Sequence, residues 1–126
     1  MTTSNTHAIV LADASGQIRY WSPGAERLFG WKAAEAVGQR LDLIVPEEYR
    51  ERHWAGFNQA MRTGHARLAG AATNLPVQCR DGTILAFPGR LLLLTDAHQA
   101  GVGAIAIYEP RTGDEEPWEP IGSAPS

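Results

Sequence analysis

At Gly64 the hydrophobic period of the chain changes, and that switch constrains the fold more than any single residue does. Before it, residues 46–64 carry the best helical pattern. On a helical period Tyr49, His53, Gly56, Phe57 and Ala60 share one apolar face, while Arg50, Glu51, Asn58 and Arg62 point elsewhere. After it, residues 66–80, 83–95 and 102–108 are rich in apolar and β-branched side chains. Asp81-Gly82 and the stretch 96–101 separate them as hairpin-type connections, so three strands are expected to follow one long helix.

The first half of the chain is punctuated more densely. Ala8-Ile9-Val10-Leu11-Ala12, the turn residues Asp13-Ala14-Ser15-Gly16, and the alternating Gln17-Ile18-Arg19-Tyr20-Trp21 read together as a β-hairpin. Ser22-Pro23 is a helix start, with a capping hydroxyl and a proline at the first helical position. Ala25, Leu28 and Phe29 mark the buried face of that helix, and Gly30 closes it. Residues 33–37 predict one further turn ended by Gly38, and 41–44 a third short helical piece. The long helix is predicted to begin at Pro46, with Glu47 and Glu48 in its first turn, and to stop at Gly64. Pro76 and Pro88 predict bulges or edge positions in their strands. The expected domain is α+β and spans residues 8–109. Residues 1–7 form a flexible start, and 110–126 form a Pro-rich acidic tail whose one strong apolar anchor is Trp118.

Composition narrows the function classes. A chain of 126 residues builds one core, not two. A net charge of −3 leaves no basic footprint for nucleic acid. No apolar run approaches the roughly 20 residues that span a bilayer, and the polar N-terminus has no signal-peptide core. Cys79, the one cysteine, can form no intrachain disulfide, which fits a reducing cytoplasm. It is expected in a strand as a buried, inert thiol.

His53 carries the functional question. An imidazole aimed into an apolar interior is a metal ligand, a pH-sensitive switch or a plain core residue. His7, His65 and His98 do not combine with it or with carboxylates at zinc-ligand spacing. Ser22, His53 and Asp13 fall in distinct elements with no motif uniting them, so enzyme activity is not expected. Ala69, Gly70, Ala71, Ala72, Ala86 and Gly89 are small residues on strands expected to face the long helix. They leave volume, to be filled by a ligand or by Trp21, Trp31, Trp54, Phe57 and Phe87. The unbroken run Leu91-Leu92-Leu93-Leu94 predicts a strand covered on both faces. One face would meet the helices, the other a dimer partner or the N-terminal segment.

The ordered set of elements resembles the PAS domain family. The resemblance rests on the stretch from Ala12 through Ser22-Pro23-Gly24 to Trp31, then on Ala36-Val37-Gly38-Gln39, Val45-Pro46-Glu47-Glu48-Tyr49-Arg50 and Arg80-Asp81-Gly82-Thr83. It implies a PAS fold, a five-stranded antiparallel sheet in order 2-1-5-4-3 with helices packed on one face, and a ligand pocket between the long helix and the sheet. It also implies a homodimeric sensor that signals to a downstream protein. Ser22 stands where many members carry asparagine, and keeps the cap. The Asp-x-Thr signature that usually leads to an effector is missing after Tyr108, which implies a small stand-alone sensor. Flavin photochemistry is not implied, because no Asn-Cys-Arg-Phe-Leu type helix is present.

Within that family the segment from Val45 to His53 is similar to the haem-binding PAS domains of rhizobial oxygen-sensor kinases. There the histidine matching His53 is the axial iron ligand. The likeness implies b-type haem on His53, with Tyr49, Phe57, Arg67, Ala71, Thr73 and Leu91 around it. The arginine that bonds oxygen in those proteins is matched by Thr73, which would donate a weaker, neutral hydrogen bond. Arg67 lies nearby as a propionate partner. The Arg-x-Arg-His pattern also occurs in PAS domains without haem, so two alternatives stay open. One is a module with an apolar ligand or none, acting in dimerisation and protein–protein signalling. The other is a small hydrolase.

Overall fold

Asp13 turns the first corner of the fold. Its Oδ1 accepts hydrogen bonds from the Ser15 amide (3.0 Å), the Ser15 hydroxyl (2.7 Å) and the Gln17 amide (3.0 Å), while Arg19 Nε donates to Oδ2 (2.7 Å). These donors, the Ser15 hydroxyl foremost, hold its carboxyl well below the usual carboxylate range. The corner joins β1 (Ala8–Asp13) to β2 (Ile18–Trp21), as the turn residues predicted. The computed structural model describes residues 6–65 and 73–113.

Local chemistry then sets the short helices. The Ser22 hydroxyl accepts from the Ala25 amide at 3.1 Å, Pro23 opens α1 (Pro23–Phe29), and Gly30 ends it in the left-handed conformation. The same hydroxyl accepts from the Ile9 amide at 2.8 Å, so one cap ties the helix to the sheet. One further turn, α2 (Ala33–Ala36), and a 3-10 turn (Leu41–Leu43) follow where expected. The long helix does not start at Pro46. Pro46 precedes a separate 3-10 turn (Glu47–Tyr49), and α3 runs Arg50–Thr63 with Gly64 as its left-handed stop. The proline signal marks the first turn after a break, and that turn is too tight to join the α-helix.

The strands β3 (Thr73–Gln78), β4 (Ile84–Thr95) and β5 (Gly101–Tyr108) complete a five-stranded antiparallel sheet in the order β2-β1-β5-β4-β3. The strand expected over 66–80 ends two residues early, at Gln78. Residues 66–72 lie outside the described residues, and Cys79 stands one position past β3, buried in the β3–β4 connection rather than in a strand. Pro76 is on the edge strand β3, as its missing N–H requires. Neither proline makes a bulge. The register shifts instead between Leu11 and Ala12 and between Leu94 and Thr95.

Register decides which side chains face the helices. Ala8, Val10 and Ala12 pair with Tyr108, Ala106 and Ala104, and those with Gly89, Leu91 and Leu93. All of them lie on the helix side, with Leu75, Val77 and Phe87. Ala86 alternates with Phe87 and so faces away from the helices, contrary to expectation. The Leu run divides in the same way. Leu91 and Leu93 point inward, while Leu92 and Leu94 point outward beside Ile105 and Ile107.

Candidate functional site

The inward surface of the sheet has two ends. At one end α1 presses Phe29 onto Trp21, Phe87 and Tyr108, with edge-to-face ring separations of 5.8, 5.0 and 4.9 Å. Those four rings are buried, and burial pushes the Tyr108 hydroxyl far above its ordinary pKa. At the other end α3 crosses the sheet where the β1–β2 and β4–β5 turns lie side by side. Gly101 lets the helix backbone come close: a side chain there would put its Cβ 2.6 Å from Met61 Cα. Ala60, on the same helix face, is buried.

Between these contacts the packing is looser. Leu91, Leu93, Ala104 and Ala106 face the helices from the two central strands, yet all remain partly accessible, as do Leu41 and Leu43 of the first 3-10 turn. Inward side chains on central strands are normally sealed. Their partial exposure leaves this part of the sheet less fully covered than the α1 end, and Ala104 shares its row with Ala12 of β1.

His53 faces this region from α3. Its ring stacks on Phe57 (5.8 Å, 26°) and meets Trp54 edge-on at 4.7 Å. His53 Nδ1 is buried and has no hydrogen-bond partner among the described residues. Burial drives its pKa down to about 4; Asp42 opposes that shift and Arg40 adds to it. At neutral pH the imidazole is therefore uncharged, the form that binds a metal. An orphaned, buried ring nitrogen on a neutral histidine, beside Phe57 and Trp54, fits a protein ligand to the iron of a haem group. Among the described residues no three His, Cys, Asp or Glu side chains gather as a metal site of another kind.

The other expected site residues are only partly brought together. Thr73 pairs with Gly89 and shares the inward face with Leu91, two residues along β4. Tyr49 stands before α3, where burial and the adjoining Glu48 carboxylate raise its hydroxyl pKa. Arg67 and Ala71 lie outside the described residues, as do Ala69, Gly70 and Ala72. Of the proposed filling rings, Trp21 and Phe87 belong to the α1 end. Sequence reasoning gave no part to Asp42, Arg40 or Gly16, which the fold gathers around Trp54. Their separations of 12, 14 and 38 residues from Trp54 carry no local signal.

Comparison with known proteins agrees with this architecture. A family profile described as PAS fold matches residues 2–110. "Sensor protein FixL" of Bradyrhizobium diazoefficiens is 36% identical over 76 residues, which is 60% of this chain and 15% of that protein. "Oxygen sensor protein DosP" of Escherichia coli is 28% identical over 79 residues, 63% of this chain and 10% of that protein. The chain thus spans a small part of the curated relatives it matches. A solved PAS domain from Colwellia psychrerythraea superposes with a TM-score of 0.69 at 22% identity, covering 85% of this chain and 87% of that one. The RpfR quorum-sensing receptor PAS domain of Cronobacter turicensis, in complex with BDSF, superposes with a TM-score of 0.64 at 17% identity, covering 89% of this chain and all, 100%, of that one.

Proposed function

The chain belongs to the PAS family, and on that premise we propose that it is a non-catalytic sensory domain binding b-type haem between α3 and the inward face of its sheet. The observation that carries this reading is His53: a neutral imidazole with an unbonded, buried nitrogen beside Phe57 and Trp54. The likeness of the chain to a protein named as an oxygen sensor supports a gas-responsive site. When bound, haem supplies an iron that takes up a diatomic gas or changes oxidation state.

The chain's own residues do the rest. His53 would hold the iron, Phe57 and Leu91 would supply apolar walls and Thr73 one neutral hydrogen bond, with Tyr49 at the start of α3; Arg67 and Ala71, the other residues expected around the group, lie outside the described residues. Because Thr73 replaces a cationic donor, discrimination among gases should be weaker than in a site with an arginine. Titrating the purified protein with haemin should produce a Soret band, and His53→Ala should abolish or shift it. A wild-type protein without that band would end the haem reading.

A second reading has its own support. Leu91, Leu93, Ala104 and Ala106 are all uncharged, and a PAS neighbour was solved with BDSF in place. An apolar ligand in the same space would appear as added mass in native mass spectrometry. We also propose that the module works in the cytoplasm as a homodimer that signals to a downstream protein. The outward face supports the dimer, since Leu92 is exposed and Ile9, Leu11, Leu94, Ile105 and Ile107 are only partly covered.

A further inference from the structure

Trp54 is the most heavily engaged side chain of α3, and none of its partners belongs to α3 itself apart from the two neighbouring rings. Its indole lies against Gly16 in the β1–β2 turn so closely that a Cβ at Gly16 would collide with Cη2 and Cζ3 on the edge of the six-membered ring. Gly16 has φ +85, which already favours glycine there. Arg40 lies over the indole at 4.2 Å. Trp54 Nε1 donates to Asp42 Oδ1 at 2.6 Å, a charge-assisted bond. Asp42 in turn has Arg40 Nε at 3.9 Å and Arg50 Nε at 4.0 Å, and its carbonyl accepts from Arg50 Nη2 at 3.1 Å. Three chain segments, the turn at Gly16, the stretch 40–42 and the start of α3, therefore converge on one indole.

We infer that Trp54 is a positioning residue that fixes the rotation of α3, and so the direction of His53, by latching the helix to the β1–β2 turn through Asp42 and Gly16. The two side chains are consecutive on the helix and their rings touch at 4.7 Å. A helix turned about its axis carries both together. With the indole held on three sides, the direction of the neighbouring His53 ring is fixed along with it. The converse follows as well: a ligand that draws His53 must also pull on the turn at Gly16. This inference rests on the reading that His53 faces the ligand, but the latch itself is a property of the ligand-free chain.

Two measurements separate these ideas. Amide hydrogen exchange on the ligand-free protein reads the latch alone. Trp54→Phe keeps an aromatic ring over Gly16 but loses the bond to Asp42. It should speed exchange in the β1–β2 turn and in the first turns of α3 together, by about tenfold. Asp42→Ala should do the same, while Asp42→Asn, which keeps an acceptor, should restore protection. Asn58→Ala, on the exposed side of the same helix, should leave the turn unchanged. Unaltered turn exchange in Trp54→Phe would overturn the latch, whatever haemin does. Haemin titration then reads the positioning. Trp54→Phe and Asp42→Ala should weaken binding about tenfold and shift the Soret maximum, with Asp42→Asn close to wild type. Weaker binding with an unshifted maximum would show only lost stability and would overturn the positioning role. A wild-type chain that ignores haemin would remove the haem reading and leave the exchange result standing.

Discussion

The two ends of the inward sheet face solve the same problem with different materials. Under α1, Phe29 and three further rings fill the space, and the Ser22 hydroxyl bonds both the helix and the sheet. Under α3, alanine and leucine line an incompletely covered surface, the helix start has no side-chain cap, and the buried Nδ1 of His53 is unbonded. One end is built for stability. The other is covered less completely, and its polar groups are held by contacts between distant segments.

The sharpest way to break this contrast is to delete a ring at each end. Phe29→Ala should cost about 3–5 kcal/mol in denaturant unfolding, because it empties a sealed cluster. Phe57→Ala, at a half-buried position, should cost less than half as much. Equal losses would show the α3 end to be as well packed as the α1 end.

Next in size is a pH effect confined to the open end. His53 has a folded pKa of about 4, below the ordinary 6.5. The unfolded chain therefore takes up a proton between those values while the folded chain does not. The neutral ring's contribution is complete above pH 6.5 and falls away as pH drops toward 4, by up to about 3 kcal/mol. Subtracting the stability curve of a His53→Phe variant from that of the ligand-free wild type should leave this slope. A flat difference would show that the imidazole is not desolvated.

Adding volume should have opposite results at the two ends. Ala25→Leu, under α1, should cost about 1–3 kcal/mol through overpacking. Ala104→Leu should change stability by less than about 1 kcal/mol and block haemin uptake. The cap gives the last test: Ser22→Ala should cost about 1–2 kcal/mol. It should be measurable by thermal melting and leave haemin binding unchanged.

Legibility followed the range of the interactions. The hairpin at Asp13, α1 with its Ser22-Pro23 start and Gly30 end, and the position of β4 were readable because each rests on bonds between near neighbours. The start of α3 was misread because proline signals the beginning of a turn without saying whether that turn is α or 3-10. Ala86 was assigned to the pocket on its size, and only strand register turned it outward. His53 was found from helical spacing alone, whereas Trp54 looked like one more filling ring.

By itself, then, the sequence determined the element order, the caps of α1 and the covered positions His53, Phe57 and Ala60 of α3, since these depend on side-chain spacing and on hydrogen bonds spanning a few residues; Gly56, expected on that face, is exposed, and Tyr49 precedes the helix. Tertiary structure alone decided that the rings gather under α1 and the small residues under α3, and that Gly16, Arg40 and Asp42 close around Trp54. Those outcomes depend on strand register and on contacts between segments up to 38 residues apart along the chain. No local preference encodes them, because the backbone must first be folded for the partners to meet.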